Sequence, residues 1–161
     1  MDPVNSTVNI QKLAFEQILP VWSTHLWPDR ESAIETHSAM TWPFEGDSAD
    51  IDMTIFEREA TFWGIWLDGQ LVGVNSGHQT TDLHYRSRGL WVDPYYRGRG
   101  LAQLLFTMTE WQAREEGAEM IWSIPRKTAL RSYTSYGFET VGDFFGTETA
   151  ESNIYVSLWL S

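Results

Sequence analysis

One stretch of the chain, residues 90–106 (LWVDPYYRGRGLAQLLF), constrains the fold more than any other. Its apolar start runs into Asp93 and Pro94, and a proline holds the residue before it in an extended conformation, as at the end of a strand. After a short turn, apolar residues recur at the spacing of one helix face. These residues are Leu101, Leu104, Leu105 and Met108. The stretch therefore predicts a strand, a basic glycine-rich loop and a helix, in that order.

The loop between this strand and this helix has the composition of a phosphate-binding site. The first amide groups of a helix have no partner within the helix, and the helix dipole places partial positive charge there. Gly98 and Gly100 let the backbone approach a ligand closely, and Arg97 and Arg99 add two cations. Such a loop suits a pyrophosphate. It lacks the lysine and hydroxyl residue of a nucleoside-triphosphatase loop and the glycine spacing of a dinucleotide fingerprint.

Chain length and charge limit the organisation and the partners. The 161 residues suffice for one domain with its own core, and we expect a single domain over residues 1–161. The net charge of −11 argues against binding to nucleic acid or to anionic membranes. The few basic residues are concentrated in the second half of the chain. We therefore expect one anionic ligand, with the remaining surface better suited to a cationic one.

Several classes are excluded by what the sequence lacks. Without cysteine there is no disulfide, thiolate metal site or cysteine nucleophile. No apolar run approaches the roughly 18 residues of a membrane span, and the first residues lack the basic and apolar regions of a signal peptide. We therefore expect a cytoplasmic protein.

Hydrophobic periodicity and turn residues predict the remaining elements. Before residue 60 they predict a strand at 8–10, a helix at 13–26 that Pro20 kinks or splits, a helix at 29–40 and a loop at 41–52. After residue 60 they predict a hairpin that turns at Asp68-Gly69, a strand at 83–92 and the helix at 98–115. A strand at 120–124, a helix at 128–135 and strands at 138–145 and 153–160 follow. This order describes an α+β or mixed α/β domain.

Two segments carry a resemblance to a known family. The segment 97–102 reads Arg-x-x-Gly-x-Ala after a Val-Asp-Pro strand end, and it resembles the acetyl-coenzyme A loop of the GCN5-related N-acetyltransferase (GNAT) superfamily. The segment 129–138 resembles that family's Ala-x-x-x-Tyr-x-x-x-Gly-Phe pattern. The resemblance implies an acyl-CoA N-acyltransferase fold, a twisted, mixed and mostly antiparallel sheet flanked by helices. It places the cofactor in the cleft between the fourth and fifth strands.

The resemblance also implies which residues bind acetyl-CoA. The pyrophosphate would be held, largely through backbone amides, by Arg97, Gly98, Arg99, Gly100, Leu101 and Ala102. The backbone of Leu90, Trp91 and Val92 would bind the pantetheine arm. Arg126 stands where the family often has asparagine. Together with Lys127 or Arg131, it could pair with the phosphates of the cofactor. Its alternative role is that of a solvated basic residue at the start of a helix.

The same comparison implies a catalytic acid but no usual base. Tyr133 would lie near the thioester sulfur and protonate the leaving thiolate; its alternative role is packing with Tyr136 and Phe138. The glutamate that many relatives carry before the loop is replaced by Arg86. His84 is our candidate base. Its rivals, each also an ordinary structural or surface residue, are His78, Asp82, Glu57 and Glu59. No ligand spacing supports a metal site.

The resemblance implies an N-acetyltransferase that would move an acetyl group from acetyl-CoA, its co-substrate, directly to a primary amine. The charge of −11 favours a cationic small molecule or peptide as acceptor. Two alternatives stay open: a non-catalytic acetyl-CoA-binding sensor or partner module, and transfer of a different acyl group. The strand predicted at 153–160 could exchange or pair between subunits, so a homodimer is possible.

Overall fold

Seven strands and three α-helices make up the fold in the computed structural model, which describes residues 8–44, 51–146 and 152–161. The strands are β1 (Val8–Leu13), β2 (Ala60–Leu67), β3 (Gln70–Gln79), β4 (His84–Val92), β5 (Met120–Ser123), β6 (Glu139–Phe145) and β7 (Asn153–Trp159). The helices are α1 (Phe15–Val21), α2 (Leu101–Glu115) and α3 (Leu130–Tyr136). Short 3₁₀ turns occur at Met53–Glu57, Pro94–Tyr96 and Lys127–Ala129. No helix in these described ranges is long and apolar enough to cross a membrane.

All seven strands belong to one mixed sheet. Its order is β1-β2-β3-β4-β5-β7-β6, and every neighbouring pair is antiparallel except β4 with β5. The parallel pair needs a crossover, and α2 supplies it, as expected of a strand–helix–strand unit. Leu101 and Leu105 of α2 pack with Ile65 and Val72 of the sheet. The predicted mixed, mostly antiparallel sheet flanked by helices is confirmed.

The hairpin between β2 and β3 forms as predicted. Asp68 and Gly69 both have positive φ, 51° and 81°, as a two-residue turn that matches strand twist requires. Gly117, with φ of 85°, follows the end of α2. The sequence therefore located the turns of this part of the chain correctly.

The first predicted helix is split, as Pro20 indicated. α1 contains Pro20 and continues as a π-helical turn over Trp22–Leu26. A proline removes one intrahelical hydrogen bond, which favours such a change of helix type. The indole of Trp22 is fully buried and packs on Phe15, Phe62 and Trp27. Trp22 therefore anchors this helical segment to the sheet.

The helix predicted at 29–40 is wrong. That segment forms turns and irregular backbone, and its backbone groups bind side chains of the sheet instead of one another. The Arg88 guanidinium donates to the Glu35 carbonyl at 2.9 Å, and the amide of Ser38 donates to the His78 imidazole at 3.2 Å. Tertiary hydrogen bonds thus override the local helix signal. The loop predicted at 41–52 falls partly on residues 45–50, which lie outside the described residues.

The last strand is not an edge strand. β7 lies between β5 and β6 and pairs with both, so its backbone is not open to another subunit. The edges of the sheet are β1 and β6. Residues 153–160 therefore offer no free edge for pairing with another subunit, contrary to that part of the prediction.

A β-bulge interrupts β4 beside its partner β3. Val74 pairs with Trp91 and Ser76 with Arg88, so one more residue lies between the partners on β4 than on β3. Gly89, in the bulge, has φ of 79°, and its carbonyl accepts a hydrogen bond of 2.9 Å from the Trp22 indole. Bulges redirect a strand and are common next to active sites.

We expect Gly89→Ala to lower the free energy of unfolding by about 3 kcal/mol. The left-handed backbone costs a residue with a Cβ about 1–2 kcal/mol, and the added Cβ would lie 2.4 Å from the buried indole of Trp22. Gly69→Ala is the matched control, because Gly69 has φ of 81° and no atom within 4 Å of an added Cβ. Its loss should be about 1 kcal/mol in urea unfolding. Equal losses would show that Trp22 does not pack against position 89.

Candidate functional site

β4 and β5 part soon after they pair, and the gap between them contains the site. Their register runs from His84 opposite Met120 to Arg86 opposite Trp122 and then stops. Beyond this point the Ser123 hydroxyl bonds the Ser87 carbonyl at 2.7 Å, and β4 continues without a strand partner on that side. The free side of β4 borders two adjoining clefts.

The first cleft, of about 690 Å³, lies against the end of β4 and the start of α2. It brings together most of the residues predicted to bind the cofactor. Its lining includes Leu90, Trp91, Val92, Arg97, Gly98, Gly100, Leu101, Ala102 and Arg126. Among its described lining residues there are three arginines, with Arg131 the third, and no aspartate or glutamate. The cleft therefore presents positive charge on a protein of net charge −11.

The start of α2 gives this cleft its anion-binding character. Gly98 and Gly100 have φ of 76° and 80°, and Gly100 is the residue that caps the helix, without a side-chain hydrogen bond. Apart from each glycine and its neighbours in the chain, no atom of the described residues lies within 4 Å of a Cβ built on either glycine, so the space over the loop is open there. The amides of residues 101–103 precede the first helical hydrogen bond, from Leu104 to the Gly100 carbonyl at 3.2 Å. Amides in this position bind phosphate groups.

The two arginines of the loop are held in different ways. The Nε of Arg97 donates to the Val92 carbonyl at 2.9 Å, so its side chain turns back over the strand end while it lines the cleft. Arg99 instead lies over the rings of Tyr95 and Tyr96, at 5.7 and 5.3 Å from their centroids, and does not line the cleft. The geometry thus supports a phosphate contact for Arg97 more directly than for Arg99.

The second cleft, of about 330 Å³, adjoins the first and contains Tyr133. Four residues line both clefts, namely Leu26, Leu90, Arg126 and Ala129. The Tyr133 side chain is 4% exposed, and its ring packs on Phe106 and Phe138 at 4.8 and 5.4 Å between centroids. Burial raises the pKa of Tyr133 to about 12, although the Ser123 hydroxyl and the Arg86 charge oppose this shift. Tyr133 therefore packs in the core and also borders the second cleft.

The candidate bases lie elsewhere. His84 begins β4, opposite Met120, and it lines neither cleft. Asp82 forms an ion pair of 3.0 Å with Arg58, and Glu57 and Glu59 are exposed. In the described part of the chain no aspartate or glutamate lines either cleft. The geometry therefore gives His84 no support as a base, and Arg86 lines the second cleft.

His78 is a buried structural histidine. Its Nε2 accepts from the amide of Ser38 at 3.2 Å, so the proton lies on Nδ1, 3.1 Å from the carbonyl of Gln79. Burial, and secondarily the charges of Arg86, His37 and Arg88, lower the pKa of His78 to about 3. It is therefore neutral at ordinary pH and holds the 29–40 segment against β3. The described residues contain no cluster of three potential metal ligands.

Three features of the site were missed by the sequence reasoning. The bulge at Gly89 has a signal, an isolated glycine within a strand pattern. His25, in the π-helical turn, stacks on Trp91 at 4.3 Å between centroids and lines the first cleft. Arg88 lines the second cleft two positions after Arg86. Neither His25 nor Arg88 has a local motif, because the bulge and the split helix bring both residues into place.

The chain is similar in sequence to one described family. A family model with the description "Acetyltransferase (GNAT) family" matches residues 19–138, which is more than half of the chain. This match confirms the resemblance inferred from segments 97–102 and 129–138. No curated protein matches the chain.

Solved structures share the fold. Nourseothricin acetyltransferase is 23% identical with a TM-score of 0.55, and the match covers 62% of this chain and 65% of that one. Ard1 from Thermoplasma volcanium is 15% identical with a TM-score of 0.65, over 96% of this chain and 98% of its own. An aminoglycoside 6'-N-acetyltransferase complexed with coenzyme A is 13% identical, with a TM-score of 0.65, over 94% and 96%. At such identities the likeness establishes the fold alone.

The buried state of His78 makes stability depend on pH. Its pKa is near 6.5 in the unfolded chain and about 3 in the folded one, so below pH 6.5 the unfolded chain binds more protons. Stability from this group is therefore complete above pH 7 and is lost as the pH falls. We expect wild type to lose about 2 kcal/mol more than His78→Gln between pH 7 and pH 5.

Urea unfolding of both proteins at the two pH values measures this difference, because contributions from the other titrating groups are common to both. His37, whose ring lies 5.0 Å from that of His78 and whose pKa burial also lowers, remains in both proteins. Parallel losses in the two proteins would mean that His78 becomes protonated in the folded state.

Proposed function

Because the chain belongs to the Acetyltransferase (GNAT) family, we propose that it transfers an acetyl group from acetyl-CoA to the primary amine of a small acceptor. The observation that carries the proposal is the meeting of the two clefts beside β4. One cleft has the donors for a phosphorylated co-substrate, and the other contains a buried tyrosine. Four shared lining residues connect them, so a thioester bound in the first cleft can be reached from the second.

The first cleft fits coenzyme A in charge and in backbone geometry. The open glycine loop and the free amides of α2 suit the pyrophosphate, and Arg97, Arg126 and Arg131 suit the remaining phosphate charge. The free side of β4 at Leu90, Trp91 and Val92 suits an extended arm that carries amide groups. Arg99 would contribute through the backbone of the loop, since its side chain does not line the cleft.

Tyr133 is our candidate for the acid that serves the leaving sulfur. Its high pKa means that the phenol keeps its proton throughout the neutral range. A thiolate left in the same poorly solvated space also has a raised pKa, so the difference that opposes proton transfer is smaller than in water. The phenol first donates a hydrogen bond to the sulfur and then its proton.

The proposed reaction balances without a covalent enzyme intermediate, in keeping with the absence of cysteine. The neutral amine attacks the thioester carbonyl carbon, the C–N bond forms, and the C–S bond breaks as the tetrahedral intermediate collapses. The amine loses one proton to water as the C–N bond forms. Tyr133 gives its proton to the sulfur and regains one from water, so the products are an N-acetyl amide and free coenzyme A.

A second candidate function is binding of acetyl-CoA without catalysis, as in a sensor or partner module. The lack of an acidic residue among the described lining of both clefts favours it. Release of coenzyme A thiol in the presence of an amine panel distinguishes the two functions. Transfer of a longer acyl group is tested in the same assay with other acyl-CoA donors.

Several broader predictions belong to this proposal. They are one domain over residues 1–161, a cytoplasmic location, no nucleic-acid or membrane partner, and a possible homodimer. The charge of −11 favours a cationic amine as acceptor. The described lining of the second cleft is positive instead, because it contains Arg86, Arg88 and Arg126.

We expect Tyr133→Phe to lower kcat roughly 100-fold, as loss of a positioned acid does, with the KM for acetyl-CoA nearly unchanged. Tyr136→Phe is the matched control, since Tyr136 lies on the same helix, bonds Glu110 at 2.7 Å and lines neither cleft. Because the pKa of Tyr133 is about 12, ionisation of this phenol should cause no alkaline loss of kcat up to pH 10. Equal rates for the two variants would remove Tyr133 from the mechanism.

We expect Ala102→Glu to weaken coenzyme A binding at least roughly tenfold, because it adds a carboxylate to the cleft where the pyrophosphate is proposed to bind. An acidic residue in the first turn of a helix is compatible with folding. Thr107→Glu, exposed on the same helix and outside the cleft, is the control. Isothermal titration with coenzyme A measures both. Unchanged affinity in Ala102→Glu would place the phosphates elsewhere.

A further inference from the structure

The second cleft is lined by positive charge. Three arginines, Arg86, Arg88 and Arg126, line it, and no aspartate, glutamate or histidine does so within the described ranges 8–44, 51–146 and 152–161. The remaining lining is apolar, aromatic or neutral polar. A cleft of this kind attracts an anionic group and disfavours a second cation.

Arg88 is held rigidly at one side of this cleft. Its side chain is 5% exposed, and its guanidinium lies over Trp22 and Trp27, at 5.0 and 5.2 Å from the ring centroids. Its Nη1 donates to the Glu35 backbone carbonyl at 2.9 Å. Burial lowers the pKa of Arg88 to about 9, so the group is still cationic at neutral pH. The Glu35 side chain itself is exposed.

Arg86 lies two positions earlier on β4, on the same face of the strand. Its guanidinium lies over Trp122 at 4.9 Å from the centroid. The Nε and Nη1 atoms are shielded from solvent and have no hydrogen-bond partner in the described part of the chain. Burial lowers its pKa to about 10, so it too is charged at neutral pH. A guanidinium presents a planar fork of N–H donors that matches an oxyanion.

Two neighbouring cations in a partly dry cleft repel each other. This repulsion acts on Arg88, because the charge of Arg86 adds to the lowering of the Arg88 pKa by burial. Buried polar donors without partners cost free energy, and for charged groups the cost is larger. A bound oxyanion offsets the repulsion and can accept from the guanidinium groups that line the cleft.

We propose that the acceptor is a small amine that also carries an oxyanion, a carboxylate or a phosphate, which Arg86 and Arg88 bind in the second cleft. This inference rests on the proposed acetyl transfer and names its substrate class. The cleft volume of about 330 Å³ is at the small end of ligand pockets, which suits a small acceptor. With the oxyanion on the arginines, the amine lies toward Tyr133 and the shared boundary with the first cleft.

The same arginines assist the chemistry. A nearby positive charge lowers the pKa of an ammonium group, so the acceptor in this cleft more readily reaches the neutral form that attacks. The site can therefore function without a carboxylate base beside the amine. The cation that replaces the expected glutamate takes part in substrate recognition instead.

The test on the wild-type protein uses amines matched in length. Every compound in a set has a primary amine at one end, and the other end is a carboxylate, a carboxamide, a second amine or a phosphate. Glycine and the common amino acids, each compared with its amide, form a further series. Thiol release at saturating acetyl-CoA gives kcat/KM for each. We expect an oxyanion-bearing amine to exceed its amide and its diamine by roughly 10- to 100-fold, the worth of a charge-assisted hydrogen bond. The carboxylate and phosphate arms identify which oxyanion is preferred.

Variants then assign the selectivity to the arginines. Arg86→Gln should raise the KM for the oxyanion-bearing amine roughly tenfold or more relative to the KM of its amide. Arg86→Lys should restore part of the selectivity. Arg30→Gln is the control. Arg30 is an exposed cation near Trp27, and Arg30 itself lines neither cleft. Because Arg88 also holds the Glu35 carbonyl, Arg88→Lys is used in place of a neutral variant.

The outcomes separate the two proposals. If diamines or aminoglycosides are acetylated as well as their carboxylate counterparts or better, the oxyanion inference is overturned and the acetyltransferase proposal stands. If Arg86→Gln lowers kcat/KM equally for the acid and its amide, the recognition role of Arg86 is wrong. If coenzyme A binds by calorimetry but no amine in any arm is acetylated, the acetyltransferase proposal fails, and the inference fails with it.

Discussion

The separation of β4 from β5 beyond Arg86 and Trp122 is the constraint on which both clefts depend. A sheet that stayed paired there would leave no free strand for a ligand and no space beside Tyr133. The bulge at Gly89 and the hydrogen bond from Trp22 to its carbonyl hold β4 in its redirected course. The buried indole of Trp22 also carries the cation of Arg88 on its face. Packing at one tryptophan thus fixes the path of a strand and the position of a cleft residue.

The charge that lines the two clefts is opposite in sign to the net charge of the molecule. The chain carries −11, yet every charged side chain in the described lining of the two clefts is an arginine. Net charge sets the long-range field, which governs encounter, whereas binding depends on the groups within a few ångströms. An amine that also carries an oxyanion is compatible with both, because its ammonium end suits the outer surface and its oxyanion end suits Arg86 and Arg88.

The elements after residue 60 could be predicted because each has a strong local signal. Asp68-Gly69 specifies its turn, and the spacing of Leu101 and Leu105 specifies the buried helix face, although Leu104, predicted on the same face, is 42% exposed. Segment 29–40 has no comparable apolar stripe, and its backbone is held by Arg88 and His78, which are distant in sequence. The glycine loop at 97–102 was likewise predicted from a contiguous motif. The arginine cleft was not, because Arg86 and Arg88 acquire meaning only beside Trp22, Trp27 and Trp122.

Arg86 shows how one position can change its role while the fold is kept. A carboxylate there would accept a proton from the attacking amine, and its negative charge would stabilise the ammonium form that cannot attack. A guanidinium there favours the neutral amine and adds donors for an anion. Proton removal then falls to water, at some cost in rate, whereas binding and orientation of the acceptor improve. Under the proposed function, an arginine at position 86 favours a narrow class of acceptors, and β4, which borders both clefts, would carry the residues that select them.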